Sequence, residues 1–102
     1  MDAQGPTVSK EASLSHFAGS KQQLIHRISG IEVHVQSLKK LIAEDGECRE
    51  VLMQISAIRA AIERLSHVIV EEFVEVMLQS IDSAEQRSGA IADIRAAMET
   101  LM

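Results

Sequence analysis

One uninterrupted amphipathic stretch, residues 47–78, most constrains what this chain can fold into. It contains no Gly or Pro, so nothing in it favours a break. Its apolar residues recur every three or four positions, which is the spacing of one face of an α-helix. We therefore predict a single helix over 47–78, about 45–50 Å long at 1.5 Å per residue. Its main apolar stripe consists of Leu52, Ile55, Ile58, Ile62, Leu65, Ile69, Phe73 and Val76.

Two shorter amphipathic segments flank this helix. The first is predicted to begin at Ser20, which with Gln23 has the form of a capping box. The third is predicted to begin at Asp82 or Ser83, with Gln86 behind. Residues 1–19 mix Gly, Ser, Pro and charges without periodicity, so we expect a flexible N-terminal arm at 1–19 and a helical domain at 20–102. The predicted fold class is all-α, with three helices per chain.

The long helix has more apolar surface than two shorter helices can cover. Its second half is apolar off the main stripe as well, at Val68, Val70, Val74, Met77 and Leu78. Pairing two such helices antiparallel, each with its own first helix, makes a four-helix bundle that buries the excess. The sequence therefore predicts an obligate dimer, and the third helices could join two dimers into a tetramer.

Composition and charge restrict the function. No apolar run has membrane-spanning length, and a single cysteine excludes an internal disulfide framework, so we expect a cytoplasmic protein. The chain has no phosphate-binding glycine loop, nucleophile elbow or cysteine pair, which does not favour an enzyme. The net charge is -5. Residues 65–102, with two basic and seven acidic residues, account for all of it, so an anion-binding face is expected in the N-terminal half.

The segment 48–61, which reads CREVLMQISAIRAA, resembles the copper-sensitive operon repressor family. These are small all-helical bacterial repressors that sense copper, nickel or formaldehyde. The resemblance covers about residues 16–80 and is densest at 41–65. It implies a transcriptional repressor that binds operator DNA as a dimer or tetramer, and it implies that Cys48 belongs to the effector site.

The resemblance also implies a basic DNA-binding face. The family's paired arginines after Arg27 are replaced here by Ser29 and Gly30. Residues 21–40 still hold four basic residues against one acidic residue, which favours phosphate contact. The alternative is that Lys39, Lys40 and Arg49 form only a solvated face. The implied DNA-binding residues are Arg27, Lys39, Lys40, Arg49 and Arg59.

In metal-sensing members, the residue at the Cys48 position binds the metal together with residues near the end of the partner's second helix. Nickel-type members add a histidine in the N-terminal arm. Those positions fall on Phe73, Met77 and His16. Phenylalanine has no lone pair, and a thioether binds only soft ions. The candidate metal ligands are therefore His16, Cys48 and Met77, of which two are firm donors. Two firm ligands do not make a tight site, so a standard copper or nickel sensor is not favoured and the cofactor is left unknown.

Several interpretations stay open at this point. The amide dipoles of a helix N-terminus attract negative charge at Cys48, whereas neighbouring acidic residues oppose it, so the thiol is either a sensor or a packing residue. A formaldehyde-type sensor would need an amine, for which Lys10 and Lys21 are the candidates. The alternative functions are a helical scaffold or interaction protein that has lost DNA binding, and a weak metal-binding oligomer.

Overall fold

The computed structural model describes residues 13–17 and 19–102. Within them the chain forms a short 3-10 helix, Leu14–His16, then three α-helices and no strand. The α-helices are α1 (Lys21–Ala43), α2 (Cys48–Gln79) and α3 (Ala84–Leu101). The prediction of an all-α chain with three helices is confirmed, and each end of α2 lies one residue from its predicted position. No helix among the described residues is long and apolar enough to cross a membrane.

The chain divides into two compact units. One comprises residues 20–68, and the other joins the described residues up to Gly19 to residues 69–102. The boundary between Val68 and Ile69 falls inside α2. Residues 1–12 and 18, which include Lys10, lie outside the described residues. The assignment of an arm at 1–19 and a domain at 20–102 therefore stays a prediction.

The unit 20–68 is a helical hairpin closed by a tight turn. Gly46 N–H donates to the Leu41 carbonyl at 2.8 Å, and Asp45 N–H donates to the Ile42 carbonyl at 3.1 Å. Asp45 has φ 59°, the left-handed conformation that ends a helix in a Schellman motif. Because only residues 44–47 separate the helices, α2 turns back antiparallel to α1.

Gly46 makes this turn possible because it has no side chain, and the turn leaves no room for one at this position. A Cβ there would lie 2.9 Å from the Leu41 carbonyl oxygen and closer still to the Leu41 side chain. The next residue, Glu47, already accepts the N–H of Val51 at 3.0 Å. The turn therefore sets the start of α2 and places Cys48 in its first turn.

The predicted capping box at the start of α1 is wrong. Ser20 does precede the helix, but its backbone is helical, with φ -114° and ψ -2°, and its side chain makes no capping hydrogen bond. A capping hydroxyl needs an extended backbone to reach the first-turn amides. Ser83 has that backbone, and its hydroxyl accepts the Gln86 N–H at 3.0 Å. Of the two caps predicted for α3, Ser83 is the one formed.

The second unit has a small core. Phe17 is 1% exposed, and Phe73, Met77 and Ala90 are also buried. The 3-10 helix that presents Phe17 is capped by Ser13, whose hydroxyl accepts the Ser15 N–H at 3.1 Å. A residue ahead of α1 thus contributes to the same core as α2 and α3. An apolar depression of about 180 Å³ beside it is lined by Leu14, Phe17, Ile69, Val70, Phe73 and Ala97.

Candidate nucleic-acid interface and thiol site

One line of large apolar side chains on each helix of the hairpin is among the least exposed. It includes Leu24, Ile31 and Leu38 on α1, and Ile58 and Leu65 on α2. Other residues can be placed by their rotation from this inward line, at about 100° per residue. In two antiparallel helices that face each other, residues rotated in the same sense lie on the same side of the pair. The hairpin therefore has two distinguishable sides.

One side is apolar and uncovered. On α1 its residues follow an inward residue by four positions, a rotation of about +40°. On α2 they are rotated by about +40° to +120°. Each is between 41% and 59% exposed, so a single chain leaves this surface in contact with water. We call it the apolar side, and it consists of Ile28, Val35, Ile42, Leu52, Ile55 and Ile62.

Cys48 and Arg59 both lie along this apolar side. Cys48 precedes Ile58 by ten residues, a rotation of about +80°, and Arg59 follows Ile58 by one, about +100°. Both are exposed. They are separated by about 16 Å along α2. The proposed sensing residue and one proposed DNA-binding residue therefore share one flank of the same helix.

The other four predicted DNA-binding residues are all exposed, but only Lys39 lies on the same side of the hairpin as Arg59. Arg27 is rotated by about -60° from the inward line, which places it on the opposite flank, here called the polar side. Lys39, at about +100°, borders the apolar side. Lys40 and Arg49, at about 200° and 180°, point away from the interior of the hairpin.

The turn end of the hairpin is not positively charged. Lys39, Lys40 and Arg49 lie within about 6 Å of the turn along their helix axes. Four carboxylates accompany these three cations. Arg27 and Arg59 lie farther from the turn, at about 24 Å and 17 Å. Carboxylates close to the turn-end cations offset their attraction for phosphate. The four acidic residues are Glu44, Asp45, Glu47 and Glu50.

Reasoning from the sequence missed one exposed cation, Arg64. It precedes the inward residue Leu65 by one position, a rotation of about -100°, so it lies on the polar side with Arg27. The resemblance directed attention to other positions. The rotation of Arg64 from the inward line could have identified it as a residue of the polar side. That line is known only once the packing of α1 against α2 is known.

Within one chain, the structure does not bring the candidate metal ligands His16, Cys48 and Met77 together as a cluster. Among the described residues no group of three or more His, Cys, Asp or Glu side chains could hold a metal ion. Met77 is 3% exposed and belongs to the core of its unit, whereas His16 and Cys48 are exposed. His16 and Met77 belong to one compact unit and Cys48 to the other.

Comparisons with known proteins identify relatives. Residues 20–102 match the model of a family described as metal-sensitive transcriptional repressor. The transcriptional repressor RcnR of Escherichia coli K12 is 34% identical over 87 residues, covering 69% of this chain and 97% of that protein. Repressors of the same name from Citrobacter koseri and Shigella flexneri serotype 5b match to the same extent. No solved structure matches the chain significantly.

Proposed function

The chain belongs to the metal-sensitive transcriptional repressors, and from this membership we propose that it binds operator DNA as a dimer or dimer of dimers and senses its effector at Cys48. That family consists of repressors rather than enzymes. The observation that carries the proposal is the division of the hairpin into an exposed apolar side and a polar side with basic residues. The apolar side suits contact with another copy of the chain, and the polar side suits contact with phosphate.

We propose that two chains cover each other's apolar sides, with their α2 helices antiparallel in a four-helix bundle. Burying the exposed half of one Ile, Leu or Val side chain contributes about 1 kcal/mol. A dimer would bury twelve of them, about 12 kcal/mol in total, which is comparable to an association cost of about 4–15 kcal/mol. If Cys48 lies opposite residues 73–77 of the second copy, as the family resemblance implies, the two-fold axis passes near Ile62.

Phosphate contact is proposed for the five basic residues predicted above. Arg27 is the strongest candidate, because it lies on the polar side and away from the acidic turn. Arg59 also lies away from the turn, but it is on the same side of the hairpin as the surface proposed to pair two chains. Lys39, Lys40 and Arg49 are expected to contribute less. Each contact repeats in every subunit, and affinity for duplex DNA falls with salt in proportion to the number of phosphates neutralised.

The proposed sensing step uses the position of Cys48 on the apolar side. A group added to this thiol would alter the packing between two chains, and Arg59 lies on the same flank of the same helix. Coupling of about 1–3 kcal/mol would change DNA affinity about 5- to 150-fold. Because the candidate donor set contains only two firm ligands, we propose that the cue is not a tightly bound copper or nickel ion.

Mobility-shift titration with duplex DNA from the region upstream of the protein's own coding sequence tests this proposal. Wild type should bind, more weakly as salt rises, and Arg27→Ala and Arg59→Ala should weaken binding. Gln36→Ala is the uncharged control, because Gln36 is exposed on α1 and rotated about 140° from the inward line. Cys48→Ser should bind DNA and no longer respond to the effector. A wild type that binds no DNA at low salt, with the arginine variants unchanged, would contradict the proposal.

A helical interaction protein that does not bind DNA is the second candidate. The observation that favours it is the charge of residues 69–102, where two basic residues stand against seven acidic ones. It predicts a folded oligomer with no salt-dependent affinity for duplex DNA. The third candidate is a weak metal-binding oligomer that uses His16, Cys48 and Met77. Micromolar or weaker affinity for Cu(I) and Ni(II) in equilibrium dialysis would contradict it.

A further inference from the structure

We propose that Arg64 is a phosphate-contact residue and that, with Arg27, it marks the polar side of the hairpin as the surface that faces duplex DNA. This inference rests on the proposed repressor function and deepens it. It adds a residue that the family resemblance did not indicate. It also places the DNA on the side of the hairpin away from the surface proposed to pair two chains.

The two arginines lie at matching positions on the two helices of the hairpin. Arg27 lies 16 residues before the end of α1, and Arg64 lies 16 residues after the start of α2. Both are therefore about 24 Å from the turn along their helices. Both are rotated in the same sense from the inward line, by about -60° and -100°. They thus lie across the hairpin from each other at the same level, on axes about 8–10 Å apart.

The charge environment of the two arginines also sets them apart. Carboxylates three or four residues away on a helix pair with a cation and compete for it. Arg59 has Glu63 four residues on in α2, and Arg49 lies at the acidic turn beside Glu47 and Glu50. Arg27 and Arg64 lie away from the turn and have no Asp or Glu three or four residues away on either side. Their charges are therefore the least offset by carboxylates near them in the sequence.

The surface around the two arginines is open and polar. Small exposed residues lie beside them on the polar side, so little side-chain bulk would hold a duplex away. Arg27 also borders a shallow depression on the outer surface of α1, lined by residues that can all donate hydrogen bonds. The small residues are Gly30 and Ala57, and the depression is lined by Gln22, Gln23, His26 and Arg27.

Arg64→Ala and Arg49→Ala form a matched pair for testing the inference. Both remove an exposed arginine from the same helix, but only Arg64 lies on the polar side away from the acidic turn. We would measure binding of the full chain to fluorescent duplex DNA by anisotropy across a salt series. Arg64→Ala should weaken binding about 5- to 30-fold and lower the salt slope by about 1 for each subunit in contact. Arg64→Lys should retain most of the binding.

Three outcomes distinguish the possibilities. A loss of binding by Arg64→Ala that clearly exceeds the loss by Arg49→Ala, on operator and unrelated duplexes alike and with the oligomer intact by sedimentation, supports the inference. If wild type binds and Arg64→Ala binds equally well, or no worse than Arg49→Ala, the inference is wrong while the repressor proposal stands. If wild type binds no duplex DNA even at low salt, both are overturned.

Discussion

Two adjacent residues in the turn between α1 and α2 decide where Cys48 is placed. Asp45 adopts φ 59°, a left-handed conformation that Asp tolerates better than most residues. Gly46 sits where a Cβ would press against the Leu41 carbonyl. Together they reverse the chain within four residues, so Cys48 begins α2 at a defined height and rotation.

Two alanine substitutions should have opposite effects on stability. Gly46→Ala would force a Cβ against the Leu41 carbonyl and should lower the free energy of unfolding by about 1–3 kcal/mol. Gly30→Ala places its Cβ in open space in the middle of α1. It should raise the free energy of unfolding by about 0.5–1 kcal/mol, because alanine loses less backbone entropy on folding. Urea denaturation at one protein concentration would measure both, and shifts of the same sign would contradict this account.

At the scale of the helices, periodicity predicted the long elements well. Residues 47–78 have a clear three- and four-residue repeat and no breaker, and α2 spans nearly the same residues. The helix starts were harder to predict because capping depends on one residue's backbone angles. Ser20 and Ser83 look alike in sequence, yet only Ser83 has the extended backbone that lets its hydroxyl reach an amide.

The cap at Ser83 should make a measurable contribution to stability. Ser83→Ala removes the bond to the Gln86 N–H and should cost about 1 kcal/mol. Ser88→Ala is the matched control, since Ser88 is exposed inside the same helix and alanine has the higher helix propensity. Thermal unfolding followed by circular dichroism should show a lower midpoint for Ser83→Ala alone. Equal effects of the two substitutions would mean that the cap does not stabilise α3.

At the scale of the whole molecule, the sides of the hairpin could not be predicted from sequence. The predicted stripe on α2 included Leu52, Ile55 and Ile62 together with Ile58, but Ile58 faces inward and the other three remain exposed. Which of them faces inward depends on where α1 packs, and periodicity does not contain that information. The burial of Phe17 is a tertiary effect of the same kind, because no helical repeat includes it.

The same limit applies to the candidate site. The sequence suggested Cys48, Arg27 and Arg59 as site residues, and their roles stay predictions. Their arrangement could not be predicted, since a single basic face was expected and the structure instead distributes these cations around the hairpin. Arg64 was not suggested because its proposed role rests on its position opposite Arg27 across the hairpin. Charge composition alone treats all exposed arginines as equal.

Sedimentation equilibrium at micromolar concentration tests most directly whether a second copy covers the apolar side. We expect wild type to sediment as a dimer or tetramer and Ile62→Glu, at the proposed two-fold axis, to sediment as a smaller species. Val33→Glu is the control, since Val33 is 63% exposed but rotated about 200° from the inward line, and it should leave the oligomer intact. A folded wild-type monomer, or an Ile62→Glu variant that assembles like wild type, would contradict the account.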